Sequence, residues 1–187
     1  MQSTITKNES EKKHLETLTK SFKKDSNLHT FATIFLENIP FKTLVKYDSD
    51  YLTSFIKNRF KHLQASLSKL GTFSIEASTE SKDKDVYCLE MAYQDAPYLI
   101  VTLEALFKEH NLQITELHHP IFTVDCDKKG KISSLSKPKP DTFLVSQVYI
   151  EFASKSGDID LKELKKDISK HMDAVQAAKG DHDDMIN

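Results

Sequence analysis

The sequence predicts an α+β fold in which a helical hairpin precedes a four-stranded antiparallel sheet carrying two helices. Three observations predict it. Apolar residues recur at helical spacing from Leu28 to Leu70, the period drops to 2 at Gly71, and the segments beyond alternate strand, strand, helix, strand, strand, helix. The 187 residues are 39% hydrophobic and 29% charged, with a formal net charge of -2, enough for one or two small domains with cores of their own.

Residues 1–27 mix Lys, Glu, Ser, Thr and Asn around a weak apolar spacing at Ile5, Leu15, Leu18 and Phe22, which predicts a loose arm or a marginal helix. Leu28, Phe31, Ala32, Phe35 and Ile39 then form a stripe that Pro40 ends. A second helix begins at Asp48 or Ser49, both good N-caps. It carries Leu52, Phe55, Ile56, Phe60, Leu63, Leu67 and Leu70 on one face, with Gly71 as its C-cap. Residues 28–71 are therefore read as the hairpin.

Past Gly71, Phe73, Ile75 and Ala77 alternate with polar residues as a first strand, and the polar loop 80–85 leads to a second with Tyr87, Leu89, Met91 and Tyr93 on one face. A helix follows from Pro97, in a first turn where proline is tolerated, lined by Leu99, Leu103, Leu106, Phe107 and His110. A third strand covers 112–125, interrupted by Pro120; Gly130 marks the turn, and 131–140 reads as an irregular basic connection. The fourth strand, 143–153, places Leu144, Val148, Ile150 and Phe152 together. Leu161, Leu164, Ile168, Met172 and Val175 form a long amphipathic helix capped near Asp158 or Asp160. This α+β unit spans 72–180, and 181–187 reads as an acidic tail. Moving the last strand of a ferredoxin-like sandwich to its front gives this ββαββα order with the same sheet, both helices lying on one face.

Composition removes whole classes of function. Four glycines, Gly71, Gly130, Gly157 and Gly180, stand too far apart for a phosphate-cradling loop. Arg59 is the only arginine among 26 basic residues and the sequence pI is near 6.4, so nucleic acid is not an expected partner. No apolar run approaches the about 20 residues of a membrane span, and no secretion signal opens the chain, so no membrane partner is expected either. Cys88 and Cys126 fit neither a disulfide framework nor a four-ligand zinc site, which points to a cytoplasmic setting.

The run Tyr93-Gln94-Asp95-Ala96-Pro97-Tyr98-Leu99, then Leu112-Gln113-Ile114, then His119-Pro120-Ile121-Phe122-Thr123-Val124 resembles the N-terminal segment of the large bacterial NAD-specific glutamate dehydrogenases. Asp127-Lys128-Lys129-Gly130-Lys131 occupies that family's acidic, Gly-containing turn, and Val148-Tyr149-Ile150-Glu151 looks like one of its strands. Phe31-Ala32-Thr33-Ile34-Phe35 and Tyr47-Asp48-Ser49-Asp50-Tyr51-Leu52 look like its preceding helices, so the resemblance covers roughly residues 28–181. It implies the first of several ACT-like regulatory domains ahead of a catalytic core, in enzymes that convert glutamate to 2-oxoglutarate and ammonia with NAD. It implies no catalytic residue and no cofactor in this segment, with NAD bound by the parent's catalytic domain. The implied partners are the rest of the parent dehydrogenase and other copies of the chain through the sheet. A stand-alone amino-acid sensor is the alternative, although the acidic end at 180–187 favours an excised piece.

Several constellations carry chemistry on paper. The turn Asp95-Ala96-Pro97 opens a helix whose free N–H groups suit a carboxylate, and the ACT resemblance places amino-acid ligands there. Asp95, Ala96, Pro97, Tyr98 and His119 are accordingly the candidate ligand-binding residues. Against that reading, Asp95 brings a negative charge and Pro97 lacks a donor, so the turn also reads as an N-cap with proline in the first turn. His118 and His119 point to opposite faces of a strand, which separates them as metal ligands. The stretch from Asp125 imitates a calcium loop but has Lys129 and Ser136 where oxygen ligands belong, so it reads as a turn. Cys88, inside an apolar strand, reads as buried, and no nucleophile, base and orienting group converge.

Overall fold

The computed structural model describes residues 9–78, 85–128, 130–155 and 157–186. The segment expected as an arm or marginal helix contains helix α1 (Glu9–Thr19) and a 3-10 turn (Lys20–Phe22); Ile5 lies outside the described residues. Leu15 and Phe22 insert into the apolar cluster of the helices that follow, which ties α1 down. Helix α2 (Ser26–Glu37) starts ahead of Leu28 because the Asp25 carboxylate accepts from the Leu28 amide at 3.0 Å. Pro40 ends that run and opens a one-turn helix, α3 (Phe41–Leu44). Of the two candidate caps for α4 (Ser49–Ser66), Asp48 does the work, accepting from the Tyr51 amide at 2.7 Å. A 3-10 turn (Leu67–Lys69) follows. Gly71, at φ +94°, turns the chain into the sheet, and its N–H already bonds to the Ala92 carbonyl at 3.1 Å.

The sheet has six strands, which corrects the expected four. They are β1 (Thr72–Ala77), β2 (Val86–Gln94), β3 (Leu112–His118), β4 (Ile121–Cys126), β5 (Ile132–Ser136) and β6 (Leu144–Ser154). All pair antiparallel, in the order β1-β2-β6-β4-β5 with β3 also on β6. Two physical causes account for the difference. The segment 112–125 breaks at Pro120, which has no N–H to give, yet both halves lie along β6 and the Pro120 carbonyl still accepts from the Gln147 amide at 3.0 Å. The stretch expected as an irregular connection supplies β5, whose buried residues Ile132 and Leu135 are three apart. The pairing register slips between Asp125 and Cys126, so the period-2 signature of a strand is absent from the sequence there. Residues 80–84 of the expected loop lie outside the described residues.

Helices α5 (Leu99–Glu109) and α6 (Leu161–Ile186) cover one face of the sheet. Of the candidate caps for α6, Asp160 accepts from the amides of Lys162 and Glu163 at 3.0 and 2.9 Å. The backbone expected as an acidic tail continues α6 through Ile186. The core of that face is apolar: Leu89, Met91, Val148, Ile150 and Phe152 meet Leu103, Phe107, Leu164, Ile168 and Met172. The α1–α4 layer covers the other face, with Phe31 stacked on Phe122 at 5.2 Å between ring centroids. The result is three layers, so the open sheet face that an RNA-binding ferredoxin-like domain exposes is interior here.

The α1–α4 layer meets the sheet through a buried polar cluster as well as apolar contacts. Arg59 of α4 bonds Glu90 of β2 at 2.7 Å, and its guanidinium lies 4.4 Å from the Tyr149 ring centroid and 4.8 Å from that of Phe55. Gln147 donates to the Arg59 carbonyl at 2.8 Å, and the Tyr149 hydroxyl donates to Glu151 at 2.7 Å. Nearby, Glu116 accepts from the Tyr47 hydroxyl in a short hydrogen bond and lies 3.1 Å from His118 Nε2.

Candidate functional site

Helix α5 begins later than expected. Its first residue is Leu99 and its N-cap is Tyr98, which makes no side-chain capping bond, so Asp95 does not cap the helix and Pro97 lies ahead of the first turn. Tyr98 sits at φ +66°, the left-handed region that bulky residues rarely adopt, with its side chain exposed. Through this turn the backbone leaves the end of β2, a strand paired on both sides, and passes over the C-terminal part of α6.

The Asp95 side chain points back into the fold. It accepts a hydrogen bond from the Ser146 hydroxyl, and that oxygen lies 2.8 Å from His119 Nε2. If the serine proton goes to the carboxylate, the imidazole Nε2–H must donate to the serine oxygen, which fixes the His119 tautomer. Burial holds the His119 pKa below the ordinary imidazole value, with Asp95 acting in the opposite direction. This chain ties the β2–α5 turn, β6 and the β3–β4 junction together. His118 turns to the other face, stacked on Tyr149 among Phe35 and Phe55, so the two histidines diverge as their strand positions require.

The backbone of the same turn is gripped from α6. Gln176 donates to the Gln94 carbonyl at 3.0 Å and the Lys179 ammonium donates to the Asp95 carbonyl at 2.7 Å. Between the two helices lies a cavity of about 570 Å³, with Pro97, Tyr98 and Thr102 on the α5 side and His171, Ala174, Val175, Ala178 and Lys179 on the α6 side. Of the five residues picked from sequence, Pro97 and Tyr98 line it. Asp95 and His119 stand behind it through the Ser146 link, and Ala96 is buried. Sequence reasoning missed Lys179, His171 and Thr102. Their one legible trace is helical spacing, since Ala174 and Ala178 stand one turn apart beside Val175 and leave room on that side of α6.

Other candidate chemistry resolves into structure. The calcium-loop mimic is a turn between β4 and β5: Asp127 accepts from the Lys131 amide at 2.9 Å and Asp125 accepts from Ser134 at 2.7 Å, while Lys129 lies outside the described residues. Among the described residues no group of His, Cys, Asp or Glu is arranged to hold a metal. Burial, reinforced by Glu90, pushes the Cys88 thiol up to about 11, far from a reactive thiolate. Among the described residues no helix is long and apolar enough to cross a membrane.

The chain matches the family described as glutamate dehydrogenase, ACT1 domain, over residues 31–168, more than half of its length. It belongs to that family. No curated protein and no solved structure matches it. Membership makes the chain a regulatory part of a glutamate dehydrogenase, and the mixed α+β architecture with its antiparallel sheet is compatible with an ACT-like fold. The matched stretch of this ACT1 domain runs from α2 into α6 and takes in the α1–α4 layer's α2, α3 and α4 as well as the sheet. It stops short of His171 and Lys179.

Proposed function

We propose that the chain is a non-catalytic regulatory and oligomerisation module of an NAD-dependent, cytoplasmic glutamate dehydrogenase. The parent reaction is the conversion of L-glutamate, NAD and water to 2-oxoglutarate, ammonia and NADH, with NAD held in the parent's catalytic domain. The match to the ACT1 domain across α2–α6 carries this reading. The scarcity of glycine supports it, because a dinucleotide site needs a glycine-rich turn and Gly71, Gly130, Gly157 and Gly180 are dispersed. Assembly would use open strand edges: among the described residues β1 pairs with β2 alone and β3 with β6 alone. A second reading, an amino-acid effector site, is favoured by the cavity at Pro97 and Tyr98.

The test compares the parent dehydrogenase with and without this segment, by steady-state kinetics and sedimentation. Loss of assembly or of effector response, with the turnover of glutamate kept within a few-fold, is the expected outcome. Complete loss of turnover in a protein that still folds and assembles would overturn the non-catalytic assignment.

A further inference from the structure

We propose that the cavity between α5 and α6 binds a small carboxylate with an apolar body and no ammonium group, anchored on Lys179. This keeps the effector site of that second reading but replaces its amino-acid ligand with another chemical class. It rests on that reading only for the effect in the parent enzyme.

The volume, about 570 Å³, falls within the usual range of small-molecule pockets, about 300–1,000 Å³. Its walls at Pro97, Ala174, Val175 and Ala178 are apolar, and Lys179 is the one residue of fixed charge among the described residues that line it. Among the described residues no carboxylate lines it. The nearest acidic group on the turn, Asp95, directs its side chain to Ser146. The Gln94 and Asp95 carbonyls of the adjoining turn each accept one hydrogen bond, from Gln176 and from Lys179. A ligand ammonium would therefore meet the Lys179 cation with no carboxylate among the described lining residues to offset it. A ligand carboxylate would meet an ammonium that has used one of its three N–H donors on Asp95, and a charge-assisted bond beside apolar walls is among the stronger polar contacts available. Tyr98 completes the site. Its left-handed backbone holds a 78% exposed ring at the cavity mouth, where an apolar ligand body would cover it.

Isothermal titration of the 187-residue chain with 3-phenylpropanoate, 3-phenylpropanamide and phenylalanine holds the apolar body constant and varies the head group. The propanoate should bind at least about tenfold more tightly than either of the others, a gap of about 1.4 kcal/mol. Lys179→Gln should abolish the preference for acid over amide, and Lys179→Arg should keep it. Tyr98→Ala should weaken propanoate and amide by the same factor. Lys137→Gln, a surface change on the β5–β6 connection, should leave all values unchanged. No propanoate binding at millimolar concentration, equal binding of acid and amide, or preferred binding of phenylalanine would each overturn the proposal. Propanoate binding that leaves the parent enzyme's turnover and assembly unaffected would instead remove the regulatory reading and leave the site standing.

Discussion

The two faces of the sheet are covered by helices in different ways. Against α5 and α6, the core side chains of β2 and β6 meet apolar partners, and the one polar link described there, Ser146 to Asp95 and His119, stands at the β2–α5 turn; against α1–α4, strand residues from the same two strands place Glu90 and Gln147 on a buried arginine. Apolar burial is strong but indifferent to small shifts of one layer over another, whereas an ion pair flanked by two rings works in one register only. A buried pair adds little net stability over an apolar equivalent, yet leaving one partner alone is costly. The difference teaches that α5 and α6 supply cohesion, while Arg59 sets where the α1–α4 layer sits.

The largest effects should come from breaking either face. Phe152→Ala, which empties a fully buried site against Phe107, should cost about 3–5 kcal/mol in denaturant unfolding. Arg59→Ala should cost a similar about 3–5 kcal/mol by stranding Glu90. A smaller effect is expected from Tyr47→Phe, which removes one hydrogen bond to Glu116 and should cost about 1–2 kcal/mol.

Acidification should separate the faces further. Burial lowers the pKa of His119 behind the cavity and, together with Arg59, that of His62 on α4. A base with a lowered folded pKa takes up its proton first in the unfolded chain, so stability falls as pH drops below the unfolded value of about 6.5. His119→Gln should flatten that part of the pH–stability curve and leave the part due to His62. Glu116 is held low by its hydrogen bonds to His118 and then Tyr47, against the upward effect of burial. Its contribution is present above the unfolded carboxylate value of about 4.3 and is lost as pH falls through the lower folded value. Glu116→Gln should remove that acid limb. The smallest change is expected at the turn outside both cores, where Tyr98→Gly relieves the left-handed backbone. It should raise the melting temperature slightly, by about 1 kcal/mol of stability or less.

Much of this architecture was legible. The change of period at Gly71, the caps at Asp48 and Asp160 and the faces of β2 and β6 follow from local chemistry that neighbours in sequence supply. The strand β5 was not legible, because its register slip spaces Ile132 and Leu135 like one turn of a helix. The start of α5 was misread because Asp95 offers a capping side chain that tertiary contact with Ser146 claims first. The cavity was half legible: Pro97 and Tyr98 lie beside a recognisable turn, but Lys179 reaches it only through the packing of α6. Arg59 left a trace that counting arginines obscures. It stands four residues after Phe55 and four before Leu63, inside the apolar stripe of α4, so its burial was written in its position.

The most direct test of the division between the faces is a double-mutant cycle at Arg59 and Glu90, read by denaturant unfolding. Arg59→Met alone should lose about 3–5 kcal/mol, and adding Glu90→Leu should restore most of that loss because no charge is then left buried. Single substitutions that each cost under about 1 kcal/mol and add without coupling would show that the pair does not join the α1–α4 layer to the sheet.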